Sequence, residues 1–170
     1  RHYPIAVMDK TFIYPMGIYS NRHQNLQDIP NYASVSVPND PSNQTRALIL
    51  LQSAGLISLP NKVTLNIRDI QNNPKNLQFK ELDAAQLPRM LADVDLAVIN
   101  TTFAIPAGLN PAKDAIFLES KDSPYANLIV VRSSDLDKAS LIQFVEAMHS
   151  PEVIQKAKEL FGENAIPAWD

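Results

Sequence analysis

Val35-Ser36-Val37-Pro38-Asn39-Asp40-Pro41-Ser42-Asn43-Gln44-Thr45-Arg46-Ala47-Leu48-Ile49-Leu50-Leu51 is the stretch that decides the fold. Val35 and Val37 alternate with serines, the pattern of a half-buried strand. Pro38 to Asn43 is dense in turn formers and helix-capping types, so the strand should stop there. From Gln44 to Gly55 neither Gly nor Pro intervenes, and Leu48, Leu51 and Leu56 fall near helical spacing. The stretch therefore predicts strand, polar turn, helix, with Ser42 or Asn43 as N-cap, Arg46 in the first turn and Gly55 past the end. Unpaired N–H groups at a helix start attract an anion, and a guanidinium beside them forks onto a carboxylate. Spacing alone favours the simpler reading, a capped helix with Arg46 in solvent.

Upstream, Ile5-Ala6-Val7-Met8 reads as a strand broken by Asp9-Lys10, and Thr11-Phe12-Ile13-Tyr14 resumes an extended pattern. Pro15 and Gly17 punctuate that run before Ile18-Tyr19, as in a strand passing between two lobes. Leu26 to Ile29 supports a short helical turn. Downstream, Val63, Leu65, Ile67 and Ile70 are expected as apolar anchors of an irregular region. Leu77 to Leu82 alternates as a strand, and Asp83 is placed to cap the next helix, with Gln86 as its capping-box partner and Pro88 in or near its first turn. Leu96 to Ile99 is a continuous apolar run, typical of a strand covered on both faces. Phe103-Ala104-Ile105 is a short helix stopped by Pro106 and Gly108; Ala115 to Leu118 and Asn127 to Arg132 are strands. A helix over 136–148, with Leu141, Ile142, Phe144 and Val145 inward, precedes one capped by Ser150 with Pro151 at its first position. The tail from Ala165 is expected to dock. Strands and helices alternate, so the class is α/β with a mainly parallel sheet, and ligands in such sheets meet the carboxyl ends of the strands. Arg46 follows one strand end, Asn100 closes another, and Asn127 opens a third.

With 45% hydrophobic and 19% charged residues over 170 positions, the chain can bury a core in one domain or two small lobes. The net charge of −3, with Lys and Arg scattered, disfavours a nucleic-acid partner. The absence of cysteine excludes disulfides, thiolate metal sites and cysteine catalysis. Thirteen prolines against four glycines imply many stiffened element boundaries.

No enzyme emerges from the remaining chemistry. His2 stands at the start, His23 in a polar turn, and His149 at a helix end where a cation suits the dipole; a structural or surface role fits all three better than catalysis. No metal-ligand spacing or glycine-rich phosphate loop is present. Asp93 and Asp95 flank a loop before a strand and read as solvated.

Six ordered motifs resemble the NlpA/MetQ-type methionine-binding lipoproteins, the solute-binding components of methionine ABC importers. They are Pro38 to Asn43 with Arg46 and its helix; Asn73-Pro74-Lys75-Asn76-Leu77; Ala85-Gln86-Leu87-Pro88-Arg89; Ala97-Val98-Ile99-Asn100-Thr101-Thr102; Gly108-Leu109-Asn110-Pro111-Ala112-Lys113-Asp114; and Asp122-Ser123-Pro124-Tyr125-Ala126-Asn127-Leu128-Ile129-Val130. The resemblance runs from about Phe12 to the end of the chain.

The resemblance implies a periplasmic-binding-protein-like two-lobe fold, the second lobe complete and the first partial. On this mapping residues 1–16 are partial first lobe, 17–125 the second lobe, and 126–170 the return to the first. It implies capture of methionine in a cleft, delivery to the membrane subunits of an ABC importer, and no cofactor. Arg46 would hold the carboxylate, and Asn100 and Asn127 would orient the carboxylate and ammonium. Tyr14, Phe103 and Tyr125 are candidate cleft-lining aromatics. The family pattern also implies residues ahead of Phe12, including a signal peptide, a lipid-accepting Cys and about half of the first lobe. Location would be the periplasmic or extracytoplasmic side of the cell envelope, lipid-anchored in the full-length protein. A lobe short of strands exposes an open edge, so this chain alone is expected to self-associate or exchange elements. The competing readings are a binder of another amino acid or small carboxylate, a non-transport surface protein, and an enzyme on the same fold.

Overall fold

A computed structural model of the chain describes residues 3–169, and His2 lies outside the described residues. In chain order the strands are β1 (Ile5–Lys10), β2 (Phe12–Ile13), β3 (Gly17–Tyr19), β4 (Ser34–Pro38), β5 (Gln78–Leu82), β6 (Leu96–Ile99), β7 (Ala115–Leu118), β8 (Leu128–Arg132) and β9 (Ile166–Pro167). The helices are α1 (Pro41–Ser53), α2 (Leu87–Met90), α3 (Thr101–Ala104), α4 (Pro111–Asp114), α5 (Ala139–Met148) and α6 (Pro151–Phe161), with short 3-10 turns between elements. The chain divides into two compact units, one of Arg1–Tyr14 with Ser120–Asp170 and one of Pro15–Glu119. None of the described helices is long and apolar enough to cross a membrane.

The Pro15–Glu119 unit is built on a five-stranded sheet ordered β5-β4-β6-β3-β7. β4 pairs parallel with β5 and β6, whereas β3 pairs antiparallel with β6 and β7. Four strands thus share a direction and β3 alone opposes them, which corrects the expectation of a mainly parallel ladder. The reason is where the chain enters: Met16 and Glu119 are side by side, since Glu119 N–H donates to Met16 O at 2.9 Å. Entry and exit both lie at the edge where the parallel strands finish, so the first strand must run back against them. Gly17 is required there, because a Cβ would lie 2.7 Å from the ring of buried Tyr19.

β4 is not half-buried. Ser36 has no exposure, and its hydroxyl donates to Leu96 O at 3.4 Å, so α1 and the opposite layer cover both faces. β6 is fully buried as its apolar run predicts. The larger core gathers Val35, Val37, Leu48, Leu51, Leu96 and Val98 between sheet and α1; the smaller gathers Tyr19, Leu87, Leu91, Ala97 and Ile99 on the other face. α1 ends as the sequence implied: Gly55 is left-handed (φ 75°), its N–H donates to Gln52 O, and Leu56 N–H reaches Leu51 O at 3.0 Å. Among the expected anchors Leu65 is buried and Ile67 and Ile70 pack on the core, but Val63 is 97% exposed. A 3-10 turn at Ile67–Asp69, capped by Asn66, orders the chain just after it. Asp83 caps a 3-10 turn by accepting from Ala85 N–H at 2.9 Å.

The other unit holds two antiparallel ribbons, β1 with β8 and β2 with β9. β1 runs on through Asp9-Lys10, absorbing the polar pair in a register shift between Val7 and Asp9. Ser150 caps α6 with Pro151 at its start, and the tail docks through β9, with Trp169 stacked 4.1 Å from His149 and edge-on to Phe12. His149 Nε2 lies 2.8 Å from Lys10 O, a structural tie. α5 starts at Ala139 rather than Leu136, and Ile142 and Phe144 are 44% and 51% exposed where inward positions were expected. Ile5 and Val7 on β1 and Leu128 and Val130 on β8 are exposed too, since alternation puts them on the face of the ribbon that no described element covers.

Candidate ligand site

The carboxyl ends of β4, β6 and β7 meet at one edge of the five-stranded sheet, and the polar residues just beyond them form the candidate site. After β4, the N-cap of α1 is Asp40, not Ser42 or Asn43, because Pro41 takes the first helical position. Asp40 accepts from Asn43 N–H at 2.9 Å, which satisfies the helix start with an internal carboxylate rather than leaving it open to an anion. Arg46 consequently falls in the second turn.

Arg46 reaches Glu119, the residue after β7. Its Nε donates to both Glu119 carboxylate oxygens at 3.0 and 3.1 Å, and its Nη2 is ion-paired with Oε2. The two side chains are 14% and 8% exposed, so the pair is largely withdrawn from water. Glu119 also accepts from Met16 N–H at 2.9 Å. The expectation of Arg46 waving in solvent is therefore excluded.

Asn100, the residue after β6, is the N-cap of α3 but makes no side-chain cap; its backbone carbonyl accepts from Phe103 and Ala104 N–H. Its amide Nδ2 donates instead to Asn43 Oδ1 at 2.8 Å, and Asn43 Nδ2 donates to Asp40 Oδ1 at 3.0 Å. This relay fixes which way the Asn100 amide points. Among the described residues, Asn100 Oδ1 is left buried with no hydrogen-bond partner. A buried acceptor without a donor costs about 1–3 kcal/mol, so it is a group set up to receive one.

Asn127 belongs to the other unit. Its Nδ2 donates to Phe12 O at 3.2 Å, its N–H to the same oxygen at 3.0 Å, and its carbonyl accepts from Thr11 N–H at 2.7 Å. It thus pins the start of β8 to β2. Tyr14 sits in an aromatic cluster, tilted against Phe12 at 6.4 Å and edge-on to Phe161 at 5.0 Å, and burial raises its phenol pKa. Phe103 on α3 is 36% exposed. Tyr125 is half-buried in the turn before β8, its N–H donating to Ser123 Oγ at 3.4 Å.

Glu119, Asn43 and Asp40 were not among the residues picked from sequence. Glu119 had a signal, since it ends a short apolar strand just as Asn100 does. Asp95 is a correction of a different kind. It is not solvated: Ser34 N–H and hydroxyl donate to its Oδ2 at 2.8 and 2.9 Å, and His23 Nε2 lies 3.0 Å from its Oδ1. It anchors the opposite edge of the sheet.

A family model described as NlpA lipoprotein matches residues 1–169. The chain belongs to the NlpA lipoprotein family. Within it, the chain is 47% identical to the D-methionine-binding lipoprotein MetQ of Salmonella typhi and 46% identical to that of Escherichia coli K12, over 99% of its own length and 64% of theirs. It therefore spans a little under two thirds of these relatives. Among solved structures, a nutrient-binding protein from Burkholderia cenocepacia bound to methionine superposes with a TM-score of 0.88 at 48% identity, over 99% of this chain and 72% of that one. An ABC-transporter periplasmic substrate-binding protein from Coxiella burnetii gives 0.88 at 51% identity, with 99% and 72% covered. These likenesses bear out the α/β periplasmic-binding-protein class for this NlpA family chain.

Proposed function

We propose that the protein containing this chain is a solute-binding protein that captures methionine and delivers it to the membrane subunits of an ABC importer. The observation that carries this reading is the unpartnered Asn100 Oδ1, held by the Asn43 relay beside a helix whose Arg46 guanidinium is already withdrawn from water. An ammonium supplies the missing donor and a carboxylate complements the guanidinium, so the pair suits the head group of an α-amino acid. Asn100 accepts from the ammonium and Arg46 takes the carboxylate. Phe103, on the helix that follows Asn100, is offered to the side chain. The names of the relatives support methionine over other amino acids, and their description as lipoproteins and periplasmic proteins supports an extracytoplasmic, lipid-anchored location. Bound ligand shifts the protein between open and closed forms only by its differential affinity for them.

Thermal unfolding of the intact protein against single amino acids tests the reading. Methionine at about a hundred times its Kd stabilises by about 2.7 kcal/mol, while alanine and methioninol at equal concentration give little. A larger shift with another amino acid supports the wider small-carboxylate reading, and no shift with any amino acid supports a surface protein without a ligand.

Self-association of this chain alone is also part of the proposal. The exposed row Ile5, Val7, Leu128 and Val130 lies on a two-stranded ribbon whose partner strands are only each other, and a second copy covers both the face and an edge. Light scattering is expected to give a dimer or larger, and a stable monomer overturns it.

A further inference from the structure

We propose that Glu119 is a positioning residue that sets the affinity for the ligand carboxylate by holding the Arg46 guanidinium in place; this rests on the reading of Arg46 given above. Three observations converge on its carboxylate. Both oxygens take the Nε of Arg46, one takes Nη2, and the same oxygen takes Met16 N–H at 2.9 Å. The backbone closes the arrangement from the other side, with Glu119 N–H on Met16 O at 2.9 Å. Glu119 is thus fixed at both ends, at the point where the chain enters and leaves the five-stranded unit.

A guanidinium is a planar fork whose direction is set by the edge already engaged. With its Nε edge locked on Glu119, Arg46 keeps one plane and one heading as a ligand arrives. Without that anchor the arginine side chain must lose its rotamer freedom on binding, which reduces affinity. Glu119 is 8% exposed, so swinging Arg46 away would strand a carboxylate out of water. The ligand carboxylate therefore joins the existing pair rather than displacing Glu119.

The test compares wild type, Glu119→Gln, Glu119→Asp and Arg46→Lys in the intact protein, with calorimetric Kd for methionine and for methioninol, which lacks the carboxylate. Glu119→Gln is expected to weaken methionine about tenfold and leave methioninol unchanged. Glu119→Asp retains the charge; if Glu119→Gln does not fold, it is expected to show a several-fold loss for methionine alone. Equal losses for both ligands mean a purely structural role and overturn the proposal. Tighter methionine binding by Glu119→Gln means that Glu119 competes with the ligand, and also overturns it. Arg46→Lys separates the layers: a loss there with none at Glu119 leaves the site reading intact and removes Glu119 from it. No loss at Arg46→Lys removes Arg46 as the carboxylate ligand.

Discussion

Arg46→Ala is expected to cost the intact protein about 2–5 kcal/mol of methionine binding, the range for truncating one partner of a buried charge pair. That corresponds to an increase in Kd of about 30- to 4,000-fold. Two costs follow. The ligand carboxylate loses the guanidinium fork, and Glu119, 8% exposed, keeps its charge without its arginine. The second cost is carried by the free and the bound protein alike, so it leaves the Kd untouched and lowers the unfolding midpoint of Arg46→Ala even without methionine. Arg46→Lys divides the two: the ammonium still neutralises Glu119, but one point charge does not fork onto two carboxylates. Its midpoint should fall less than that of Arg46→Ala, with affinity still reduced. Calorimetry on folded protein beside urea unfolding reads both quantities, and an unaltered Kd in Arg46→Ala rules out the carboxylate assignment.

The order of elements was legible in the sequence because local rules decide it. The Val35–Leu51 stretch gives strand, turn and helix through its apolar spacing and proline-rich interruption, and Gly55 and Ser150 mark helix ends by conformation and capping alone. What was not legible depends on partners far along the chain. Ser36 looks like a solvent-facing residue until Leu96, sixty positions on, offers its carbonyl. Asp40 outcompetes Ser42 and Asn43 as cap because Pro41 lacks an N–H and fits the first helical position. The reversal of β3 follows from where the chain enters its unit, which no periodicity reports. Ile142 and Phe144 read as inward because a helix normally buries its apolar stripe, yet they stand about half exposed while Leu141 and Val145 of the same helix are part-buried. For the site, strand-end logic located Arg46 and Asn100, whereas Glu119 and Asn43 act through side-chain pairings that span 73 and 57 positions.

Acidification is expected to remove about 1–2 kcal/mol of stability through Asp95 alone, at the sheet edge opposite the candidate site. Burial pushes this carboxyl up, but hydrogen bonds from His23 and from Ser34, with Arg22 at 3.7 Å, outweigh it and hold the group at about 2 against an ordinary 3.8. A folded pKa below the unfolded one means that the unfolded chain binds the proton more readily. The contribution is therefore complete above about pH 4 and disappears as pH falls through about 2, discounted here because the side chain is 18% exposed. Asp95 N–H also donates to Ser34 O and hydroxyl at 3.1 and 2.9 Å, so the residue fixes where β6 starts against β4. The far ends of those two strands carry Asn100 and the turn into α1, so the same register sets where the candidate-site residues emerge. Urea unfolding of wild type and Asp95→Asn between pH 2 and pH 6 checks this. The variant should be less stable by about 1–2 kcal/mol at pH 6, and the two should converge at pH 2. Parallel curves across that window would mean that Asp95 aligns the strands by hydrogen bonding with no contribution from its charge.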